Sequence, residues 1–310
     1  MKTMAPLRYF QHVFPTLILA GLLAASLATT RAAEIPPQQE VLPPPVTADA
    51  DQTIATLTQA IAANPQDRQA YFKRAFLYME KGSNDLAIAD LNQVIGLDPQ
   101  FAPGYFRRAY VYMLEDDEDR AISDLNRAIQ INPQYDEAYF RRAFVYLTKG
   151  FDDQAIADLN QAIQIDPQFT QAYFRRAKVY MAKGFYDRAI ADLQQAIKQE
   201  PKDIHAYNAL AWLLSTCPQP SLRDGAKAVD YATKGCELAQ WKSAPLIDTL
   251  AAAYATAGDF GNAVKWEAKF LEMTHATTDQ GTGGQGRLAL YQAGQAYHVD
   301  KYDLQLTISI

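Results

Sequence analysis

Residues 133–167 read PQYDEAYFRRAFVYLTKGFDDQAIADLNQAIQIDP, and a closely similar stretch stands 34 residues before and 34 residues after it. Within it Tyr139, Ala143 and Tyr146 lie at i, i+4 and i+7, which is one face of a helix. Gly150 then breaks the chain where a turn is needed. Ala155, Leu159 and Ala162 repeat the helical spacing, and Pro167 ends the second helix. The stretch predicts two antiparallel helices. Their alanines allow close approach, while Tyr and Leu fill the space around them.

The register holds outward from this unit. Pro65, Pro99, Pro133, Pro167 and Pro201 recur every 34 residues. So do Tyr71, Tyr105, Tyr139, Tyr173 and Tyr207, and the alanines at 75, 109, 143, 177 and 211. Second-helix columns follow at Ala87, Ala121, Ala155 and Ala189, and at Leu91, Leu125, Leu159 and Leu193. A fixed period of this length is the mark of stacked helical repeats.

With its aromatic–small–Tyr first helix, Ala-rich second helix and closing Pro, the sequence resembles the tetratricopeptide repeat family over roughly residues 50–273. The resemblance implies an all-α fold, a right-handed solenoid of antiparallel helix pairs. Residues 50–62 read as a half-repeat cap, and four regular repeats follow. A fifth is lengthened by an insertion at 217–225, and a sixth lacks the closing Pro. The blocks at 211–218 and 248–255 look like a C-terminal block found in many bacterial members of the family.

The flanks predict transport. Lys2 and Arg8 precede an apolar run from about Phe14 to Ala28, followed by small residues. That is the layout of a secretory signal over residues 1–32, with cleavage after Ala28 or Ala32. An uncleaved anchor is the alternative, although the run falls short of the ~20 residues a spanning helix needs. Residues 33–49, with five prolines, form a Pro-rich linker. Residues 274–310 should comprise a flexible loop at 276–286, a short capping helix from about Arg287 to Gln295, and a tail. In the tail Tyr302, Leu304, Leu306, Ile308 and Ile310 alternate with polar residues, which suits either a strand or a loosely ordered end. The expected location is periplasmic or secreted.

Charge and chemistry exclude several classes. Net charge is −6, and without residues 1–33 the body holds 26 basic against 35 acidic residues, a balance of −9. A general nucleic-acid binder needs the opposite sign. No phosphate-cradling glycine motif, nucleophile elbow or metal-spaced Cys/His cluster is present, so neither catalysis nor a cofactor or metal is expected. His205, His275 and His298 are isolated in the sequence. Cys217 and Cys236 fall about 16 Å apart along antiparallel helices at 1.5 Å per residue, too far for a disulfide, and read as buried thiols.

Two further columns carry the functional reading. Arg74, Arg108, Arg142 and Arg176 occur only in repeats that also hold Asp90, Asp124, Asp158 and Asp192, while Leu210 and Leu250 stand where the Asp is lost. An Arg–Asp pair bridging the two helices of each repeat is expected. Beside it runs an aromatic stripe of Phe72, Phe106, Phe140 and Phe174, then Phe76, Tyr110 and Phe144, with Met113 beyond. Lys73, Arg107, Arg141 and Arg175 flank that stripe. In the family it resembles, such positions line a concave groove and contact peptides; the alternative is packing against the neighbouring repeat, which must claim part of the stripe. The groove reading implies a protein–protein scaffold whose partner offers carboxylates and large apolar side chains. Self-assembly, or regulation of a separate enzyme as an accessory subunit, are the alternatives. Circular dichroism of the mature chain should therefore be almost wholly helical, and its N-terminus should begin near Ala33 or earlier in material recovered outside the cytoplasm. A dominant β signal, or an abundant cytoplasmic form retaining residues 1–32, contradicts the reading.

Overall fold

The computed structural model describes residues 50–274 and 279–299. The expected signal, the Pro-rich linker and the alternating tail lie outside these residues. Every regular element among them is helical: α1 (Ala50–Ala63), α2 (Arg68–Glu80), α3 (Asn84–Leu97), α4 (Ala102–Leu114) and α5 (Glu118–Ile131) come first. Then follow α6 (Asp136–Thr148), α7 (Asp152–Ile165), α8 (Thr170–Lys183), α9 (Tyr186–Gln199) and α10 (Ile204–Thr216). A short 3₁₀ turn, Pro220–Leu222, precedes α11 (Gly225–Leu238), α12 (Ala244–Thr256), α13 (Phe260–Thr274) and α14 (Asp279–Gln292). No described helix is long and apolar enough to cross a membrane. The chain forms two compact units, one up to Pro133 and one from Gln134. Within each, successive helices pack on one another, so the helical-hairpin repeat expected from the period is the observed fold class.

Local chemistry sets the element ends. α3, α5, α7 and α9 each stop two residues before a proline of the 34-residue column. The residue preceding proline is held out of the helical region by its ring. First helices end on glycines in the left-handed region, at φ 69 for Gly82, 75 for Gly150 and 78 for Gly184. The following residue donates back into the last turn, Phe185 N–H to Tyr180 O at 2.8 Å, which closes the helix end. In the second repeat Asp116 occupies this position at φ 55. A Cβ there costs about 1–2 kcal/mol, and Asp is among the few residues that adopt the conformation routinely.

The core is built from the small columns. Ala75, Ala109, Ala143 and Ala177 are no more than 1% exposed, as are Leu91, Leu125, Leu159 and Leu193. Cys217 and Cys236 are buried free thiols, as expected. Arg and Asp pair as expected too, in bidentate geometry. The Nε and Nη2 of Arg74, Arg108, Arg142 and Arg176 donate to the carboxylates of Asp90, Asp124, Asp158 and Asp192 at 2.7–2.8 Å. Each guanidinium lies 5.6–5.9 Å from two tyrosine ring centroids of its own helix, Tyr173 and Tyr180 in the case of Arg176. The remaining nitrogen reaches the preceding second helix: Arg74 donates to Thr58 Oγ1, Arg108 to Asn92 and Arg176 to Asn160 at 2.6–2.9 Å. Thr58 of α1 thus stands to Arg74 as Asn92 stands to Arg108 and Asn160 to Arg176.

The end of the chain differs from expectation. Residues 279–286 belong to α14 and are not a loop. One of its glycines, Gly284, permits the packing. A Cβ on Gly284 would come within 2.8–2.9 Å of Phe270, Glu267 and Leu271, so only glycine lets α14 lie this close to α13.

The clamp makes a measurable claim. Arg176 and Asp192 side chains are 16% and 8% exposed. Arg176→Leu should lower stability in urea by about 2–3 kcal/mol, because Asp192 then stays buried without its partner. Arg176→Leu with Asp192→Leu should recover most of that loss, matching the Leu210 solution of the next repeat. Simple additivity of the two single losses would mean that the columns are not coupled.

Candidate functional site

The aromatic stripe divides into two columns with different fates. Phe106 is 2% and Phe140 7% exposed, and Met113 is buried with them. Phe72 meets Phe101 edge-on at 5.2 Å, and Phe140 packs on Phe169 at 4.8 Å. Phe101 and Phe169 open the next repeat in each case. Phe174 is partly buried and packs on the core of the second unit. The expectation that Phe106, Phe140 and Met113 anchor a ligand is therefore corrected, since all three are buried, whereas Phe72 and Phe174 keep part of their surface. A helix stacked between neighbours buries two faces, and the one bearing this column is the second.

The other column stays open. Phe76, Tyr110 and Phe144 are partly exposed, Lys73 is exposed, and Arg107, Arg141 and Arg175 are partly buried. In the first unit the Arg107 guanidinium lies 5.5 Å from the Phe76 ring centroid. The second unit repeats this, with Arg175 5.6 Å from Phe144. A cation held on an aromatic face keeps its charge at the surface in a fixed place. Arg141 rests 5.9 Å from Phe140, and its Nη2 is 3.7 Å from Glu137. Phe140, Ala143, Phe144, Leu147, Leu159 and Arg175 surround a narrow gap too small to hold a water molecule.

Sequence reading missed Lys178 and Trp212, although the register marks them: they stand 34 and 68 residues after Phe144 in its own column. Lys178 is partly buried, and its amine is pushed below the usual lysine range by burial and then by the like charge of Arg175. Asn208, in the column of Phe174, keeps a buried Oδ1 with no hydrogen-bond donor. The acceptor column of Thr58, Asn92 and Asn160 was also missed, for want of any chemistry of its own.

A second polar constellation joins α12, α13 and α14. Arg287 Nη2 lies 2.8 Å from Asp248 Oδ1, and its Nε lies 3.4 Å from Glu267 Oε1. Burial first and Asp248 second push the Glu267 carboxyl up to about 8. Asp248 and Tyr291 are likewise raised, chiefly by burial. Glu267 has no exposed surface, so no substrate reaches it; the group staples α14 onto the array. Burial similarly raises the Cys236 thiol to about 12, far from a nucleophile's range. No group of three or more His, Cys, Asp or Glu side chains among the described residues is placed to hold a metal ion.

The Glu267 staple sets a pH dependence. Its folded carboxyl ionises near 8 and its unfolded one near 4.5. The unfolded state thus loses this proton first as pH rises, and the stabilisation present below 4.5 is lost between 4.5 and 8. Urea denaturation followed from pH 5 to 8.5 should show stability falling by up to about 1.4 kcal/mol per pH unit. Glu267→Gln should flatten that slope. An unchanged slope in this variant would show that Glu267 does not titrate in the window.

Profiles of the tetratricopeptide repeat match residues 47–117, 102–135, 136–169 and 153–213. No curated protein matches the chain. Among solved structures, YrrB, described as a TPR protein with an unusual peptide-binding site, shares 19% identity at a TM-score of 0.50, covering 60% of this chain and 93% of that one. PilF of Pseudomonas aeruginosa shares 16% at a TM-score of 0.59, covering 72% and 99%. MamA shares 30% identity at a TM-score of 0.47, covering 51% of this chain and 92% of that one. With its profiles matched, its 34-residue register intact and its helices paired as that register demands, the chain belongs to the tetratricopeptide repeat family.

Proposed function

We propose that the chain is a non-enzymatic, exported adaptor that holds a peptide segment of a partner protein on the open column of its first helices. One observation carries the reading. In both units a partly exposed aromatic bears a cation from the next repeat, Arg107 on Phe76 and Arg175 on Phe144. Aromatic and Arg side chains are the types that most often anchor interfaces. Fixed cations on a body with a balance of −9 beyond residue 33 would steer an acidic segment towards them. The partner segment is therefore extended or helical; on the second unit it brings carboxylates to Arg175 and Lys178 and a large apolar side chain to Phe144. The signal-like residues 1–32 and the proline-rich spacer support a station outside the cytoplasm, where the spacer separates the array from its N-terminal end.

Crosslinking in the native compartment, followed by identification of the captured chains, supplies the test. Phe144→Ala with Arg175→Glu should reduce capture of the principal partner by about tenfold or more, equal to about 1.4 kcal/mol or more. The melting temperature should move by only a few degrees, because repeats share stability with their neighbours. Binding of the unaltered chain should also weaken as salt rises. Capture that is indifferent both to the double variant and to salt removes the reading.

A further inference from the structure

α14 ends as a first helix of the array ends. Gly294 takes φ 70, and Gln295 N–H donates to Leu290 O at 2.9 Å, as Gly184 and Phe185 close α8. No second helix follows among the described residues. Instead residues 295–299 leave helical geometry, and Val299 N–H turns back to Thr216 O of α10 at 3.0 Å. Counted back from Gly294 as from Gly184, α14 places Gly283, Gly286 and Leu290 where α8 has Tyr173, Arg176 and Tyr180. That is the side on which α8 grips its second helix, through Arg176 and Asp192. Gly283 and Gly286 are exposed and Leu290 is partly exposed. α1 shows the reverse deficiency. Its Thr58 meets Arg74 as the second-helix residue Asn160 meets Arg176, and no first helix precedes it among the described residues. Thr53, Leu57 and Ala60 stand 34 residues before Ala87, Leu91 and Val94. Those three are at most 1% exposed, whereas Thr53 and Ala60 are exposed and Leu57 is partly exposed.

We propose that the chain joins a second copy of itself end to end, the α14 of one copy packing on the α1 of the next as a first helix packs on its second within a repeat. The proposal does not depend on the peptide site. The occupant follows from the register, because each end lacks the kind of helix that the other end offers. The seam repeats an interface the array already makes four times, from α2 on α3 to α8 on α9. Its chemistry is compatible. Thr53, Leu57, Ala60, Gly283, Gly286 and Leu290 carry no charge, so closing the seam strands no ion away from water. The end helix of such a stack ordinarily turns a polar side outward, and two glycines with a leucine do not provide one. A Cβ on Gly286 would meet nothing within 4 Å, which leaves room for a helix against it. The joint also lacks the Arg–Asp clamp: Gly286 holds the register of Arg176, and Thr56 stands 34 residues before Asp90. One seam of about four helical turns is small beside the roughly 1,600 Å² of a standard interface, so the joint is weak and forms with rising concentration. Its two faces differ, and a head-to-tail contact of this kind adds copies until a ring closes or a filament runs on.

Sedimentation of the chain as it is recovered from cells tests the joint. Between micromolar and millimolar concentration its mean mass should rise above that of one copy. Ala60→Arg alters a position already exposed and should leave thermal unfolding unchanged. It should nevertheless keep the chain monomeric at every concentration, because the seam would shut a charge away from water. A second arm strengthens the contact instead. Gly286→Arg in one copy and Thr56→Asp in another rebuild the clamp across the joint. An equimolar mixture of the two should associate about tenfold more tightly than the unaltered chain, while neither variant does so by itself. A chain that stays monomeric throughout has both faces covered from within and overturns the proposal. Association that persists in Ala60→Arg, or a mixture that binds no better than its parts, overturns it equally. Phe144→Ala with Arg175→Glu leaves both end faces intact and should assemble as the unaltered chain does, so failure of the joint and failure of the adaptor reading remain separable.

Discussion

The guanidinium that links three helices is the constraint on which the repeat depends. Arg176 of α8 takes Asp192 of α9 with two nitrogens and Asn160 of α7 with the third, between the rings of Tyr173 and Tyr180. Withdrawing a charge from water costs more than most single contacts return, so each donor needs its acceptor in place. One arginine therefore fixes the angle of its own hairpin and the distance to the hairpin before it. Such a device contributes more to register than to raw stability. Greasy columns alone would let neighbouring hairpins slide by a turn. The open aromatic column inherits its spacing from this clamp, since Arg175 and Arg176 are consecutive on one helix.

Where the clamp is abandoned, the array closes by other means. Leu210 and Leu250 are at most 1% exposed in the arginine column and pack as ordinary core. The polar link at the end then comes from the opposite direction, Arg287 of α14 reaching back to Asp248 and Glu267. One arginine facing two buried carboxylates leaves a negative excess unless a proton stays on the pair. The raised Glu267 carboxyl follows from that arithmetic together with burial.

Period and residue size made most of the fold legible, because every second-helix Ala and Leu column marks a face that must be covered. The Arg–Asp link was legible for a different reason: two columns that appear and disappear together imply a shared environment. Phe106 and Phe140 were misread because a period reports direction and not cover. Their stripe points the same way in each repeat, but whether solvent or the next hairpin lies there depends on how closely first helices approach. α14 was hidden by its glycines. Intrinsic propensity argues against helix at 281–286, and the contact that only Gly284 allows with α13 prevails over it.

Residues 295–299 show how this face accepts a segment of the chain itself. The backbone contact is Val299 N–H on a carbonyl in the last turn of α10, a part of every helix whose carbonyls lie outside the intrahelical ladder. Such an acceptor recurs with each first helix whatever its sequence, so on the proposed reading it would contribute to binding without selecting among ligands. Selection must then come from side chains that change along the open column: Phe76 and Tyr110 in the first unit, and Phe144, Lys178 and Trp212 in the second. Tyr297 lies against Trp212, an aromatic on an aromatic. Lys178 breaks the aromatic run with a poorly solvated amine, and a ligand that brings a carboxylate there gains what an apolar one forfeits. On the proposed adaptor reading, the discriminating power of the second unit would therefore concentrate at α8.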